Sequence, residues 1–281
     1  MKIAFWSNSR GMSGVTSNLA CISALSSLMS GKKAVLFENH FDVNNLGDVL
    51  GTEYREKEIL CEASGYGVSG MGNQGGESSH LREMLEEIVQ ECPAYAGLSF
   101  EKSVSYVNRH LYYLCGAKSY QEETREFFLQ DNLKLLLSVM NEYMDIVYVD
   151  TASSHHKSSR IILQEADRVV VSLSQNPKLL DYFFRNFSDI RKKAFYIIGN
   201  YNSTSEFDKE YIRREYNIPD GQLGVIPHSV AFADAMAKGR LLSFLQENLN
   251  CETDNPNFGF IKEAKESARK LGKDFVIKQK E

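Results

Sequence analysis

The first thirty residues most constrain the fold, because an apolar run, a glycine-bearing polar turn and a helical pattern follow one another directly. Residues 2–6 are predicted to form a buried strand, and the turn at 7–17 contains Gly11 and Gly14. The next apolar residues recur at helical spacing: Leu19, Ile22, Ala24, Leu25, Leu28 and Met29. A strand, a glycine turn and a helix direct backbone N–H groups and the positive end of the helix at a phosphate. The sequence therefore predicts an anion site at this turn.

The rest of the chain alternates between short apolar runs and helical patterns. The predicted strands are 34–37, 110–116, 145–151, 168–173, 194–198 and 223–226. The predicted helices are 45–50, 79–92, 100–108, 123–143, 178–189, 207–216, 230–239 and 257–271. Such alternation predicts an α/β fold, with a mostly parallel central sheet and helices on both faces. No linker composition divides the chain, so one domain is expected over 1–281, with a mobile glycine-rich loop near 64–79.

Composition excludes several classes of protein. The 281 residues carry a net charge of −5 and a calculated pI near 5.8, which argues against a nucleic-acid-binding domain. No secretory signal pattern opens the chain, and no apolar run is long enough to span a bilayer. The five cysteines are scattered without C-x-x-C spacing, so neither a disulfide framework nor a metal cluster is expected. A cytoplasmic protein is the expectation.

Polar residues follow several predicted strands at their carboxyl ends, where open α/β sheets bind ligands. The sequence Glu38-Asn39-His40 follows the second strand, and Asp150 ends the strand at 145–151. Asn200 follows the strand at 194–198, and Pro227 follows the last strand. From the residues alone, helix capping explains Thr16 and Ser17 as well as ligand binding does. A turn explains Asn200 only slightly less well than ligand binding does.

Taken together, these segments resemble the MinD/ParA group of P-loop ATPases, whose phosphate loop reads K-G-G-x-G-K-[ST]. The matching residues are Arg10, Gly11, Met12, Ser13, Gly14, Val15, Thr16 and Ser17. The strand at 145–151 resembles the family strand that ends in the Walker B acid, and 226–235 resembles a late family segment. The resemblance implies bound ATP or ADP, Mg²⁺ at Thr16 and Asp150, adenine near Asn200 and Pro227, and a homodimer.

The departures from the family pattern predict weak hydrolysis or none, and no catalytic residue is assigned. Val15 stands where the family has the lysine that reaches the β- and γ-phosphates. His40 replaces the family's water-positioning acid, although Glu38 retains a carboxylate nearby. Arg10 matches the signature lysine that reaches across the dimer, and arginine preserves its charge. Phosphoryl transfer depends on positioning and charge stabilisation, so both losses are expected to be severe.

Altered phosphate loops of this kind are similar to those of TadZ/CpaE-type proteins. This resemblance implies a nucleotide-responsive dimeric scaffold that localises Tad (Flp) pilus or secretion machinery through protein partners. The alternative is an active partitioning or septum-positioning ATPase. A basic tail at 262–280 leaves peripheral membrane contact open, although a helix packed on the domain is favoured. A nitrogenase-reductase-like enzyme is not expected, because Cys92 and Cys115 match its cluster-binding cysteines poorly.

Overall fold

In the residues that the structure describes, an eight-stranded sheet carries helices on both faces. The computed structural model describes residues 1–9, 11–39, 46–50, 100, 103–114, 122–151 and 156–277. The strands are β1 (Lys2–Trp6), β2 (Ala34–Asn39), β3 (Ser105–Asn108), β4 (Leu111–Leu114), β5 (Ile146–Thr151), β6 (Arg168–Leu173), β7 (Ala194–Tyr201) and β8 (Leu223–Pro227). The helices are α1 (Val15–Ser30), α2 (Leu46–Leu50), α3 (Glu122–Tyr143), α4 (Lys157–Glu165), α5 (Pro177–Asn186), α6 (Ser188–Arg191), α7 (Lys209–Glu215), α8 (Val230–Ala237), α9 (Leu241–Asn248) and α10 (Phe258–Ile277).

The strand order across the sheet is β3-β4-β2-β5-β1-β6-β7-β8. Neighbouring strands are parallel except β3, which runs antiparallel to β4 at one edge. In the centre, Phe5 of β1 pairs with Asp150 of β5. The turn that follows β1 and the acid that ends β5 therefore lie at the same carboxyl edge. The predicted α/β fold with a mostly parallel sheet is confirmed.

Alternating side chains of each strand contribute to two separate cores, one on each face of the sheet. In β1, Ile3 and Phe5 belong to the core beneath α1, whereas Ala4 and Trp6 belong to the core beneath α3. The first core also receives apolar residues of α2, α8, α9 and α10, and the second receives those of α4, α5 and α7. Strands buried on both faces explain why the sequence runs are apolar throughout rather than alternating.

The predicted helix at 100–108 is wrong over its second half, since Ser105–Asn108 forms strand β3. Val107 is buried, and the ring of Tyr106 meets that of Tyr112 on β4 at 6.1 Å between centroids. Valine and tyrosine favour strands, and this cross-strand pairing outweighs the helical spacing of the apolar residues. The predicted helix at 79–92 and the glycine-rich loop at 64–79 lie outside the described residues.

Helices α4 and α9 have no counterpart in the sequence prediction. Helix α4 carries buried Ser158 and Ser159 on its inner face, which obscures the apolar periodicity. The last helix was predicted and is present, and its residues Ile261, Ala264 and Ala268 are buried in the core beneath α1. Its apolar face is therefore covered by β8 and α1. In the part of the chain that the structure describes, no helix has the length and apolarity needed to cross a membrane.

Candidate functional site

The turn between β1 and α1 places the N-terminal end of α1 at the carboxyl edge of the sheet. Gly11 and Gly14 have φ values of 85° and 63°, a left-handed conformation that glycine adopts without strain. The Met12 N–H donates to the Ser9 carbonyl at 3.1 Å and closes the turn. Gly14 is the N-cap of α1 and supplies no side-chain cap, so the first N–H groups of α1 remain available to an anion.

Thr16 and Asp150 are brought together by the pairing of β1 with β5. The Thr16 hydroxyl donates to Asp150 Oδ2 at 2.7 Å, and Asp150 is fully buried. A hydrogen bond to a carboxylate is stronger than one between neutral groups. A hydroxyl and a carboxylate beside a phosphate cradle fit Mg²⁺, which is held by few protein groups together with substrate phosphates.

Val15 packs in the core beneath α1 rather than facing the turn. Its side chain is 4% exposed and belongs to the same apolar cluster as Ile3, Phe5 and Leu19. The position therefore supplies neither charge nor a hydrogen-bond donor to a phosphate. Among the described residues of this turn, backbone N–H groups and the helix end are the features that attract anions.

The other predicted residues of the turn have distinct environments. Met12 is 65% exposed, so its side chain contributes little to the core. Ser13 is buried, and its hydroxyl donates to the Ser9 carbonyl at 3.3 Å. Ser17 is half-buried in the first turn of α1. Arg10, predicted to keep the signature charge, lies outside the described residues.

Sequence reasoning missed a buried cluster that holds the turn against β6 and β7. The Asn18 side-chain amide donates to the Ser13 carbonyl and to Ser172 Oγ, each at 3.0 Å. At Gly199 of β7, a Cβ atom would lie 2.5 Å from the Ser13 carbonyl oxygen. The signal in the sequence is Asn18, whose amide interrupts the apolar residues at the start of α1, because the contacts of Gly199 depend on the tertiary fold.

Asn200 and Pro227 lie on adjacent strands at the same edge of the sheet. Asn200 follows Gly199 and has a φ of 49°, a left-handed conformation that asparagine tolerates better than most residues. Its Oδ1 atom is 2.7 Å from Nδ1 of His228, which follows Pro227. The His228 N–H donates to the Tyr201 carbonyl at 2.9 Å. His228 lies within the family-like segment 226–235, and the sequence pattern predicts no role for it.

The retained carboxylate on β2 is committed to structural contacts. Glu38 is 3% exposed, and its two oxygens accept hydrogen bonds from the Leu46 N–H at 2.8 Å and the Tyr113 hydroxyl at 2.6 Å. Glu38 thus joins β2 to α2 and β4. The neighbouring Asn39 amide donates to Ser158 Oγ at 3.0 Å. His40, predicted to replace the water-positioning acid, lies outside the described residues.

Comparison with solved structures shows the same fold in proteins with very different sequences. The structure of a ParA family ATPase from Chlorobium tepidum TLS matches with a TM-score of 0.65 and 12% identity, covering 96% of this chain and 98% of that one. The septum site-determining protein MinD of Pyrococcus horikoshii OT3, solved with Mg-ADP, matches with a TM-score of 0.64 and 14% identity, covering 99% and 98%. A Borrelia burgdorferi B31 protein assigned to plasmid partition, solved with AMPPNP, gives 0.59 and 16%, covering 97% and 98%.

These matches define the class of fold. The chain has the α/β fold of the MinD and ParA ATPases over nearly its whole length. No protein-family model matches the sequence, and no curated protein matches it. At identities of 12–16%, the shared property is the fold.

Proposed function

We propose that this chain is a nucleotide-binding protein that uses ATP or ADP with Mg²⁺ to control association rather than to drive rapid hydrolysis. The main support is the Thr16–Asp150 hydrogen bond at 2.7 Å, next to the start of α1, which Gly14 caps. The cradle binds phosphates through backbone N–H groups, and Thr16 with Asp150 holds the metal. Mg²⁺, when bound, neutralises phosphate charge.

Weak or absent turnover is proposed because the position that needs a mobile cation is occupied by a core residue. Val15 is 4% exposed and packs among apolar side chains. Charge stabilisation supplies most of the catalysis in phosphoryl transfer, so this substitution removes a major contribution. The same observation argues against an active partitioning or septum-positioning ATPase.

Such a protein acts by changing which partners it binds. We place the chain, acting as one domain, among dimeric localisation or scaffold factors, with protein partners in a Tad pilus, secretion or positioning system. Support comes from the altered phosphate loop, which is similar to that of TadZ/CpaE-type proteins. The MinD of Aquifex aeolicus, which has the same fold, was solved in complex with MinC. That complex provides a precedent for a protein partner on this fold.

Calorimetric titration with Mg-ATP and Mg-ADP, beside sizing with light scattering, tests the proposal. We expect saturable binding and a nucleotide-dependent shift from monomer to dimer. Gly14→Asp places a carboxylate at the N-cap, where it repels phosphate, and should weaken binding at least about a hundredfold, equivalent to roughly 2.7 kcal/mol.

Gly31→Asp is the matched control, because Gly31 caps the other end of α1 with a φ of 65° and nothing within 4 Å of a Cβ atom. Both variants introduce the same kind of backbone strain, but only Gly14→Asp adds charge to the site. Equal affinities for the two variants, or no binding at millimolar nucleotide by the unmodified chain, would contradict the proposal. The unmodified chain should release phosphate from ATP no faster than the Asp150→Asn variant does.

A further inference from the structure

Asn200 and His228 form a hydrogen-bonded pair at the rim of the candidate nucleotide site. Asn200 comes directly after Gly199, whose Cα lies so close to the turn that an added Cβ would be 2.5 Å from the Ser13 carbonyl oxygen. His228 follows the last residue of β8, next to the end of β7. Both side chains are solvent-exposed at this edge. The pair therefore stands one residue beyond the contact between β7 and the phosphate-binding turn.

The backbone fixes the position of both members. Asn200 has a φ of 49°, which only a few residue types adopt readily. The His228 N–H donates to the Tyr201 carbonyl at 2.9 Å, across a register shift between β7 and β8. Non-glycine residues in left-handed conformations concentrate at ligand-binding sites, where the surrounding structure maintains them. The backbone therefore holds both side chains at this rim of the sheet.

The hydrogen bond determines which polar groups face outward. The Asn200 Oδ1 atom carries no proton, so the imidazole Nδ1–H of His228 is the donor in the 2.7 Å contact. In neutral imidazole the other nitrogen, Nε2, is then unprotonated and accepts hydrogen bonds. The Asn200 amide nitrogen keeps its two N–H donors. The pair thus offers one donor group and one acceptor.

We propose that His228 determines which purine base the site accepts, by holding the Asn200 amide with Nδ1 and presenting Nε2 as an acceptor. Adenine places its exocyclic amino donor beside a ring-nitrogen acceptor, which complements this arrangement. Guanine places the O6 acceptor where adenine has its amino group, so its lone pairs oppose those of Nε2. The inference rests on the proposed nucleotide binding and adds a specificity-determining residue to that site.

The test compares Mg-ATP, Mg-GTP and Mg-tripolyphosphate binding by calorimetry. Tripolyphosphate reports the phosphate cradle without a base. The unmodified chain should favour ATP over GTP at least about tenfold, because guanine leaves the polar groups of the ordered pair unmatched. His228→Ala should reduce that ratio about tenfold and leave tripolyphosphate affinity unchanged. His228→Asn restores a donor near the Nδ1 position but no outward acceptor, so it should lose the same selectivity.

His110→Ala is the matched control, since His110 lies in the turn before β4, at the opposite edge of the sheet. It should leave both the ratio and the tripolyphosphate affinity unchanged. If the pair is purely structural, His228→Ala should weaken ATP and GTP binding equally. That result, or any other unchanged ratio of ATP to GTP affinity, overturns the inference and leaves the proposed function standing. Failure of the unmodified chain to bind any of the three ligands overturns the proposed function and the inference together.

Discussion

At the scale of single residues, Thr16 connects the start of α1 to the acid at the end of β5. Its hydroxyl is 2.7 Å from Asp150 Oδ2, and Asp150 is fully buried. Thr16→Val keeps the shape and removes the donor, so a buried carboxylate loses one of its hydrogen bonds. The free energy of unfolding should fall by about 1–3 kcal/mol in urea titrations without ligand. The affinity for ATP should also become less sensitive to Mg²⁺.

Thr16→Ser is the control for this prediction, because it keeps the hydroxyl and removes only a methyl group. Its free energy of unfolding should remain within about 1 kcal/mol of the unmodified chain. The same loss of stability in both variants would mean that packing, and not the hydrogen bond to Asp150, stabilises this position.

At the scale of elements, the turn is positioned by close contact between α1 and β7. In Gly199→Ala, the new Cβ would lie 2.5 Å from the Ser13 carbonyl oxygen and 2.7 Å from Asn18 Nδ2. The turn must then move away from β7, which costs about 1–3 kcal/mol of unfolding free energy and weakens phosphate binding. Chemical denaturation and tripolyphosphate titration measure both effects. Gly221→Ala, with nothing within 4 Å of its Cβ, should change neither; similar losses in both variants would refute the contact's role.

The elements also show how far the sequence predicts this molecule. The apolar runs predict every strand of the parallel sheet, because parallel strands are buried on both faces. They do not predict β3, whose pairing with β4 outweighs a helical spacing of apolar residues. Of the candidate site, the glycine turn and the strand-end Asp150 are readable from local patterns. The contact of Gly199 with Ser13 and the pairing of Asn200 with His228 arise only when distant strands become neighbours.

At the scale of the whole molecule, two ionisable side chains buried in the core beneath α1 make folding sensitive to alkaline pH. Burial raises the pKa of Tyr148 from 10.0 to about 12, and burial also raises the pKa of the Cys21 thiol above 9.0. Both residues belong to the core between α1 and the sheet. Each group keeps its proton in the folded chain at pH values where the unfolded chain releases it.

The Tyr148 contribution to stability is therefore complete below pH 10 and is lost as the pH rises through 10 towards about 12. Over this interval one released proton lowers the free energy of unfolding by up to about 1.4 kcal/mol per pH unit. Tyr148→Phe should make the decline shallower by that amount, measured by urea unfolding followed by circular dichroism. Tyr182→Phe is the control, because that ring is 55% exposed and its surroundings change less on unfolding. An unaltered slope in Tyr148→Phe would mean that the phenol ionises within the folded core, and the core beneath α1 would then admit water.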